Sequence, residues 1–109
     1  MSQPLTAMKL ISMTCELSIA QRAINLLRSR GVKSVRTSAI RVEEFGSESS
    51  VDLHESQLKI EFLVRPEMVS GITEHLQKMF FNHFDVGFYV TDAQVLRPEI
   101  FCDSVFPAK

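Results

Sequence analysis

The chain has 109 residues, of which 45% are hydrophobic and 23% charged, and its formal net charge is −1. This composition is typical of one ordinary globular domain. The charge argues against a general nucleic-acid binder, which carries a clear basic excess, so we expect no nucleic-acid partner. The sequence has no run of about 18 apolar residues and no basic, then apolar, N-terminal segment, so we expect a cytoplasmic protein without a membrane span or a secretory signal.

Four segments have the pattern of β-strands. In Ser56–Val64, apolar side chains occupy every second position from Leu58 onward, which predicts a strand with one buried face. Three further segments combine β-branched and apolar residues in the same way. They are Met8–Cys15, Ser34–Val42 and Asp85–Val95.

Two segments between these strands have helical spacing, Glu16–Arg30 and Pro66–Phe80. The predicted buried stripe of the first helix is Leu17, Ala20, Ile24 and Leu27. Gly31 follows as the residue expected to end that helix. The predicted stripe of the second is Met68, Ile72, Leu76 and either Met79 or Phe80.

The order β-α-β-β-α-β predicts an α+β, ferredoxin-like domain: a four-stranded antiparallel sheet with two helices on one face. The other face is left bare in a single copy, and we expect apolar residues on it, which favours an oligomer. The residues assigned to that face are Ile11, Met13, Leu63 and Tyr89. The polar segment Glu43–Glu55, between the second and third strands, has two open interpretations. It is either a solvated connection or a recognition loop that orders on binding.

Several parts of the chain together resemble the PII-like signalling family. These are Met8–Ile11, Cys15–Glu16, Arg30–Val32, Phe80–Phe84 and above all the tail Val90–Phe101, which looks like the exit of the PII-like proteins linked to bicarbonate transporters and carboxysomes. The resemblance implies one PII-like domain over residues 1–109, assembled as a homotrimer. It implies a flexible N-terminus at 1–7, a mobile T-loop at 43–55 and a C-terminal tail at 102–109.

The resemblance also implies clefts between subunits that bind an adenine nucleotide (ADP, AMP or ATP) or bicarbonate, with no required cofactor and no metal. A guanidinium can hold a phosphate or bicarbonate through two parallel hydrogen bonds, and a strand glycine permits close approach. The candidate ligand-binding residues are Arg36, Thr37, Ser38, Arg41, Gly87, Phe88 and Arg97. The alternative for the arginines is solvent or a neighbouring glutamate, and for Gly87 it is tight packing.

The T-loop of such proteins carries the ligand state to a partner. The residues expected to contact the partner are Glu43, Glu44, Phe45, Glu48 and Leu53. By the same resemblance, the partner is a membrane transporter or a carboxysome-related protein, and the role lies in inorganic-carbon uptake or fixation.

The chain departs from the family pattern at two places. Ser34-Val35-Arg36 stands where the family has Gly-Tyr-Thr, and the loop base at residues 41–46 keeps one glycine where the family has Gly-x-Gly. Glu43 and Glu44 at that base repel phosphate, whereas glycine N–H groups approach it closely. An alternative function is therefore a degenerate PII-like trimer that binds a partner without nucleotide.

We expect no enzymatic activity. An acylphosphatase-like hydrolase needs a phosphate-cradling loop, and Met13–Glu16 offers none; an amino-acid-binding regulatory domain with the same strand order remains an alternative. Cys15 and Cys102 are interpreted as reduced thiols, with Cys15 buried. The three histidines lack the spacing of a metal site.

Overall fold

The structure is a computed structural model that describes residues 4–45 and 53–103. These residues form four strands, two α-helices and three short helical turns. The strands are β1 (Thr6–Glu16), β2 (Arg36–Glu44), β3 (Leu53–Val64) and β4 (Gly87–Val95). The α-helices are α1 (Leu17–Ser29) and α2 (Val69–Leu76), and the turns are Pro66–Met68, Gln77–Phe81 and Pro98–Ile100.

The strands form one antiparallel sheet in the order β2-β3-β1-β4. The two central strands are therefore β3 and β1, while β2 and β4 are opposite edges. This arrangement confirms the predicted ferredoxin-like fold with its helices on one face. Within the described ranges, no helix is long and apolar enough to cross a membrane.

The helix-covered face of the sheet carries the core. On β1, Ile11 and Met13 are fully buried, and their partners on β3, Phe62 and Ile60, are buried as well. The prediction that Ile11 and Met13 lie on the bare face is therefore wrong. The error lies in the face assigned to β1: Ile11, Ser12 and Met13 are all buried, so the sequence pattern does not distinguish its two faces.

The centre of the uncovered face is polar, although Leu10, Leu63 and Tyr89 also lie on this face. Alternation from the buried set places Ser12 and Thr14 of β1 on it, with Lys59 and Glu61 opposite them on β3. Ser12 is buried even so, and its Oγ donates a hydrogen bond to Oε2 of Glu61, 3.2 Å away. Lys59 Nζ lies 3.5 Å from the same oxygen. The exposure of this face is thus a weak reason to expect an oligomer.

Two of the four residues predicted on the uncovered face do lie there by register. Leu63 pairs with Leu10 of β1, and Tyr89 pairs with Ser12. Leu63 is half-buried, and Tyr89 is exposed at the β4 edge.

The first helix presents a slightly different stripe from the predicted one. Ala20 and Leu27 are buried as expected, but Leu17 is 59% exposed at the first helical position. Ala20 and Leu27 belong both to the predicted stripe and to the observed one, so helical spacing alone does not distinguish the two. Burial of the bulky Ile19 and Leu26 decides in favour of the observed stripe. The buried residues are Ile19, Ala20, Ala23, Leu26 and Leu27.

Gly31 ends α1 as predicted. Its φ is +94°, a conformation that residues with a Cβ rarely adopt. The N–H groups of Gly31 and Val32 donate to the carbonyls of Arg28 (3.2 Å) and Leu27 (3.1 Å). This is the paired pattern of a Schellman motif, and it turns the chain toward β2.

The second helical segment has three parts rather than one. Pro66 opens a 3₁₀ turn, α2 follows, and Gln77–Phe81 closes the segment in π-helical form. The side chain of Phe80 completes the buried stripe, whereas Met79 is 52% exposed. The buried residues of the stripe are Met68, Ile72, Leu76 and Phe80.

The predicted loop Glu43–Glu55 is shorter in the structure, because the two strands continue into it. Glu43 pairs with His54, and Glu44 pairs with Leu53. Residue 48 and its neighbours at 46–52 lie outside the described residues, as do 1–3 and 104–109. Thr6 and Ala7, assigned to a flexible N-terminus, belong to β1.

After β4 the chain crosses to the opposite edge of the sheet, near the start of β2. We call this segment the C-terminal strap (Leu96–Asp103). Cys102 forms an isolated bridge with Val32. The carbonyl of Phe101 accepts from the Lys33 N–H at 2.9 Å, and the carbonyl of Gly31 accepts from the Asp103 N–H at 2.8 Å. The strap therefore ties the end of the sheet to the residues that lead into β2.

Candidate functional site

Six of the seven predicted ligand-binding residues lie on the two edge strands of the sheet, and Arg97 follows β4 in the C-terminal strap. Thr37 of β2 pairs with Ile60, which pairs with Met13, which pairs with Phe88 of β4. Thr37 and Phe88 thus share one transverse row. Three strand spacings separate them, about 14 Å. Within one chain these residues do not form a single site.

Arg36 is the first residue of the β2 edge. Its guanidinium carbon lies 4.9 Å from the centre of the Phe101 ring, a cation–π distance. Nη1 is 3.5 Å from Oγ of Ser34, at the limit of a hydrogen bond. Within residues 4–45 and 53–103 it makes no ion pair. Arg36 is therefore an exposed cation that contacts the Phe101 ring and has N–H donors available for a ligand.

The other two predicted arginines have carboxylate partners. Nη2 of Arg41 lies 3.3 Å from Oε1 of Glu43, and Nε of Arg97 lies 3.6 Å from Oε2 of Glu99. All four side chains are about half exposed or more, so each pair contributes little to stability. The local charge is nevertheless partly balanced, which makes both arginines weaker anion sites than Arg36.

Thr37 and Ser38 are exposed on the same edge. Ser38 pairs with Lys59 and, by alternation, shares the uncovered face with Arg36, while Thr37 belongs to the opposite face. Their hydroxyls are accessible to a ligand that approaches the β2 edge.

Gly87 begins the β4 edge and pairs with Thr14. A Cβ at this position would lie 2.3 Å from Oγ1 of Thr14, so the glycine is needed for close packing inside the chain. The next residue, Phe88, packs its ring edge-on against Phe81 with the ring centres 6.0 Å apart. The packing explains Gly87 without a ligand, and its ligand role stays a prediction.

The predicted partner-contacting residues lie where β2 and β3 approach their connection. Phe45 is 85% exposed directly after β2, an unusual position for a large aromatic side chain. Glu43 is exposed beside Arg41. Glu44 and Leu53 pair through the backbone, and Glu48 lies outside the described residues.

A shallow groove of about 480 Å³ lies at the end of the sheet where β1 begins and β4 ends. Its polar wall includes Lys9 and Asp92, which form an ion pair. None of the predicted ligand-binding residues lines it. The lining residues are Ala7, Met8, Lys9, Pro66, Asp92, Ala93 and Gln94.

Both cysteines are unbridged and buried. Burial raises the pKa of the Cys15 thiol, and the nearby charge of Glu16 raises it further. Burial also raises the pKa of the Cys102 thiol. A thiol that stays protonated is a poor nucleophile and a poor metal ligand, so neither cysteine has the features of a reactive residue. In the described part of the chain, no three acidic, histidine or cysteine side chains lie together as a metal site.

Sequence reasoning missed the surroundings of Arg36. Phe101 belongs to a segment far along the chain, and the hydrogen bond and ion pair that occupy Glu61 depend on strand register. An arginine in a short, partly polar strand was the available signal, but its partners are set by tertiary contacts.

The fold and a quarter of the sequence are shared with solved PII-like proteins. A chain of Thermus thermophilus described as a PII-like signalling protein is 27% identical, with a TM-score of 0.75 over 93% of this chain and 99% of its own. CPII, a nitrogen regulatory PII-like protein of Thiomonas intermedia bound to ADP, AMP and bicarbonate, is 26% identical, with a TM-score of 0.72 over 87% of this chain and 99% of its own.

A more distant structure, the Bacillus subtilis GlnK–ATP complex, shares the fold at 17% identity, with a TM-score of 0.64 over 78% of this chain and 82% of its own. No protein-family model and no curated protein matches the sequence. The structural likeness extends over almost the entire chain, and it confirms the resemblance found in the sequence. In fold, and at about a quarter sequence identity, the chain is similar to PII-like signalling proteins.

Proposed function

We propose that this protein is a cytoplasmic regulator that binds an adenine nucleotide, bicarbonate or both in grooves between copies of the chain, and is not an enzyme. The copies form a homotrimer, and residues 43–55 carry the ligand state to a protein partner. In this proposal the anion is held chiefly by Arg36, with Thr37 and Ser38 beside it.

One observation carries the proposal: five of the seven candidate residues lie in neighbouring rows at the two opposite edges of one sheet. Arg36, Thr37 and Ser38 are on β2, while Gly87 and Phe88 are on β4. A ligand that touches both sets must lie between the β2 edge of one copy and the β4 edge of another. The oligomer is then part of the binding site.

The solved neighbours support the choice of ligand. CPII of Thiomonas intermedia has been solved with ADP, AMP and bicarbonate, and again with ADP and bicarbonate. GlnK of Bacillus subtilis has been solved with ATP. Every one of these ligands is anionic, and each suits an unpaired guanidinium.

The route from ligand to partner follows β2. Arg36 begins this strand, and the Arg41–Glu43 ion pair lies near its end, beside the exposed ring of Phe45. Arg41 lies five residues along β2 from Arg36 and on the other face of the strand, so a ligand that reaches both must extend along this edge. Such a ligand competes with Glu43 for Arg41 and thereby favours one arrangement of the loop base. Its effect is limited to the difference in its affinity for the two arrangements.

The first experiment titrates the purified protein with ADP, AMP, ATP and bicarbonate by calorimetry, and measures the oligomeric state by sedimentation. We expect heat with at least one of the four and the mass of a trimer. Absence of heat with all four contradicts ligand sensing, and a monomer contradicts grooves between copies.

A second candidate is a PII-like trimer that binds its partner without any nucleotide. The ring of Phe45 and the carboxylate of Glu43, both exposed beside the connection, favour it, because an aromatic anchor with acidic neighbours suits a protein surface better than a phosphate. A trimer that gives no heat with the four ligands but loses its partner when Phe45 is replaced by Ala would support this candidate.

The partner we propose in either case is a membrane transporter or a carboxysome-related protein in inorganic-carbon uptake or fixation. A test is co-purification with a bicarbonate transporter in the presence and absence of bicarbonate and ADP. Binding that does not respond to either ligand would contradict the sensing role.

A further inference from the structure

Arg36 is held by an aromatic ring that belongs to a distant part of the chain. The guanidinium carbon lies 4.9 Å from the centre of the Phe101 ring. A cation–π contact attracts the guanidinium without using its N–H groups, of which one is 3.5 Å from Oγ of Ser34. This arrangement orients a cation without consuming its hydrogen-bond donors.

The ring itself is fixed from several directions. The Phe101 N–H donates to the carbonyl of Pro98 at 3.0 Å, and its carbonyl accepts from the Lys33 N–H at 2.9 Å. The next residue, Cys102, is fully buried and bridges to Val32. Phe101 also packs against the hydrophobic core. Arg36 therefore rests on a ring whose backbone and packing are held in place.

The carboxylate that stands opposite Arg36 is already occupied. Glu61 is the cross-strand partner of Arg36 on β3, the position at which an ion pair would be expected. Its Oε2 instead lies 3.2 Å from the Ser12 hydroxyl and 3.5 Å from Lys59 Nζ. The guanidinium thus stays unneutralised at the edge of the sheet, in the described part of the chain.

We infer that Phe101 is a positioning residue for anion binding. It holds the Arg36 guanidinium over the β2 edge so that the N–H donors of Arg36 face the proposed groove between copies. The inference rests on the proposed function and gives the C-terminal strap a part in it. Arg97 is the one residue of the strap that the sequence predicted to contact the ligand. A movement of the strap would move Arg36, so the strap and the ligand site are coupled through this ring.

The test compares three variants by calorimetry with ADP and with bicarbonate. Phe101→Leu keeps the apolar bulk and removes the aromatic face, and we expect affinity to fall about 2- to 5-fold. Phe101→Tyr keeps the face and should restore binding close to that of the native protein. Phe84→Leu is the matched control, because it removes the same kind of contact from Arg22, 5.8 Å from that ring, without touching Arg36.

A second readout follows Arg36 directly. The Nε–H signal of Arg36 in proton–nitrogen spectra should carry a ring-current shift that Phe101→Leu abolishes and Phe101→Tyr retains. A purely structural role for Phe101 would lower stability without this selective change.

The outcomes separate the two proposals. If the native protein binds ADP or bicarbonate and Phe101→Leu binds equally well, or if the Arg36 signal does not move, the positioning role is wrong while the function stands. If the native protein binds none of ADP, AMP, ATP and bicarbonate, the function fails and the positioning role fails with it.

Discussion

The two edges of the sheet differ in chemistry and in support. The β2 edge exposes Arg36 and Ser38, and the C-terminal strap braces its start. The β4 edge begins with Gly87 packed tightly on Thr14, followed by an aromatic ring. One edge offers a cation and hydroxyl groups, and the other begins with a close-packed glycine and an aromatic ring. In the proposed function neither edge is a complete site, and the two edges of neighbouring copies complement each other.

The largest effect is expected from removing the charge of the β2 edge. Arg36→Gln should weaken ADP or bicarbonate binding about tenfold or more, since a hydrogen bond to a charged group contributes about 1.5–3 kcal/mol. Arg41→Gln and Arg97→Gln should cost less than about threefold, because Glu43 and Glu99 already balance these charges. Calorimetry measures all three.

The control for this series is Arg28→Gln, an equal loss of charge on the exposed side of α1. It should leave binding unchanged. Equal losses for Arg28 and Arg36 would mean that only net charge matters, and the special role of the β2 edge would be wrong.

The brace of the β2 edge is tested at Gly31. Gly31→Ala should lower the free energy of unfolding by about 1–2 kcal/mol, because φ is +94° and the new methyl would lie 3.2 Å from Oδ2 of Asp103 in the strap. Urea denaturation measures this loss. Gly71→Ala is the comparison: its methyl would also lie 3.2 Å from a side-chain atom, Nη1 of Arg30, but Gly71 has an ordinary φ within α2, where alanine is the better helix former. A loss at Gly71 as large as that at Gly31 would contradict the account of the turn.

A smaller effect is expected at the close-packed edge. Gly87→Ala should lower stability by about 1 kcal/mol, because the added methyl displaces the Thr14 hydroxyl. Thr14→Ala in the same chain should recover most of that loss, as a double-mutant cycle would show. If stability returns but ligand binding does not, Gly87 also serves the ligand; if both return, its role is packing alone.

The sequence predicted the fold well because its signals were local. The alternation in β3 and the glycine that ends α1 each act within a few residues, and both predictions agree with the structure. The face of β1 was predicted wrongly, because three consecutive residues, Ile11, Ser12 and Met13, are buried and the strand has no clear polar side.

The site was less predictable than the fold. The contact of Phe101 with Arg36 and the contact of Gly87 with Thr14 join residues far apart in the chain. No periodicity or spacing carries such information, because it arises from where the strap crosses and how the strands pair. Arg36 was among the candidates, but what distinguishes it from Arg41 and Arg97 is visible only from the contacts.

The most direct measurement of the central claim is binding by mixed oligomers. One chain carries Arg36→Gln, and the other carries Gly87→Glu together with Thr14→Ala, which makes room for the new side chain. Each alone should bind ADP or bicarbonate poorly. After the two are unfolded, mixed in equal amounts and refolded together, about one groove in four should combine an intact β2 edge with an intact β4 edge. Recovery of native affinity at about that fraction of sites is the predicted result, and a mixture that binds no better than its two components would contradict a ligand site shared between copies.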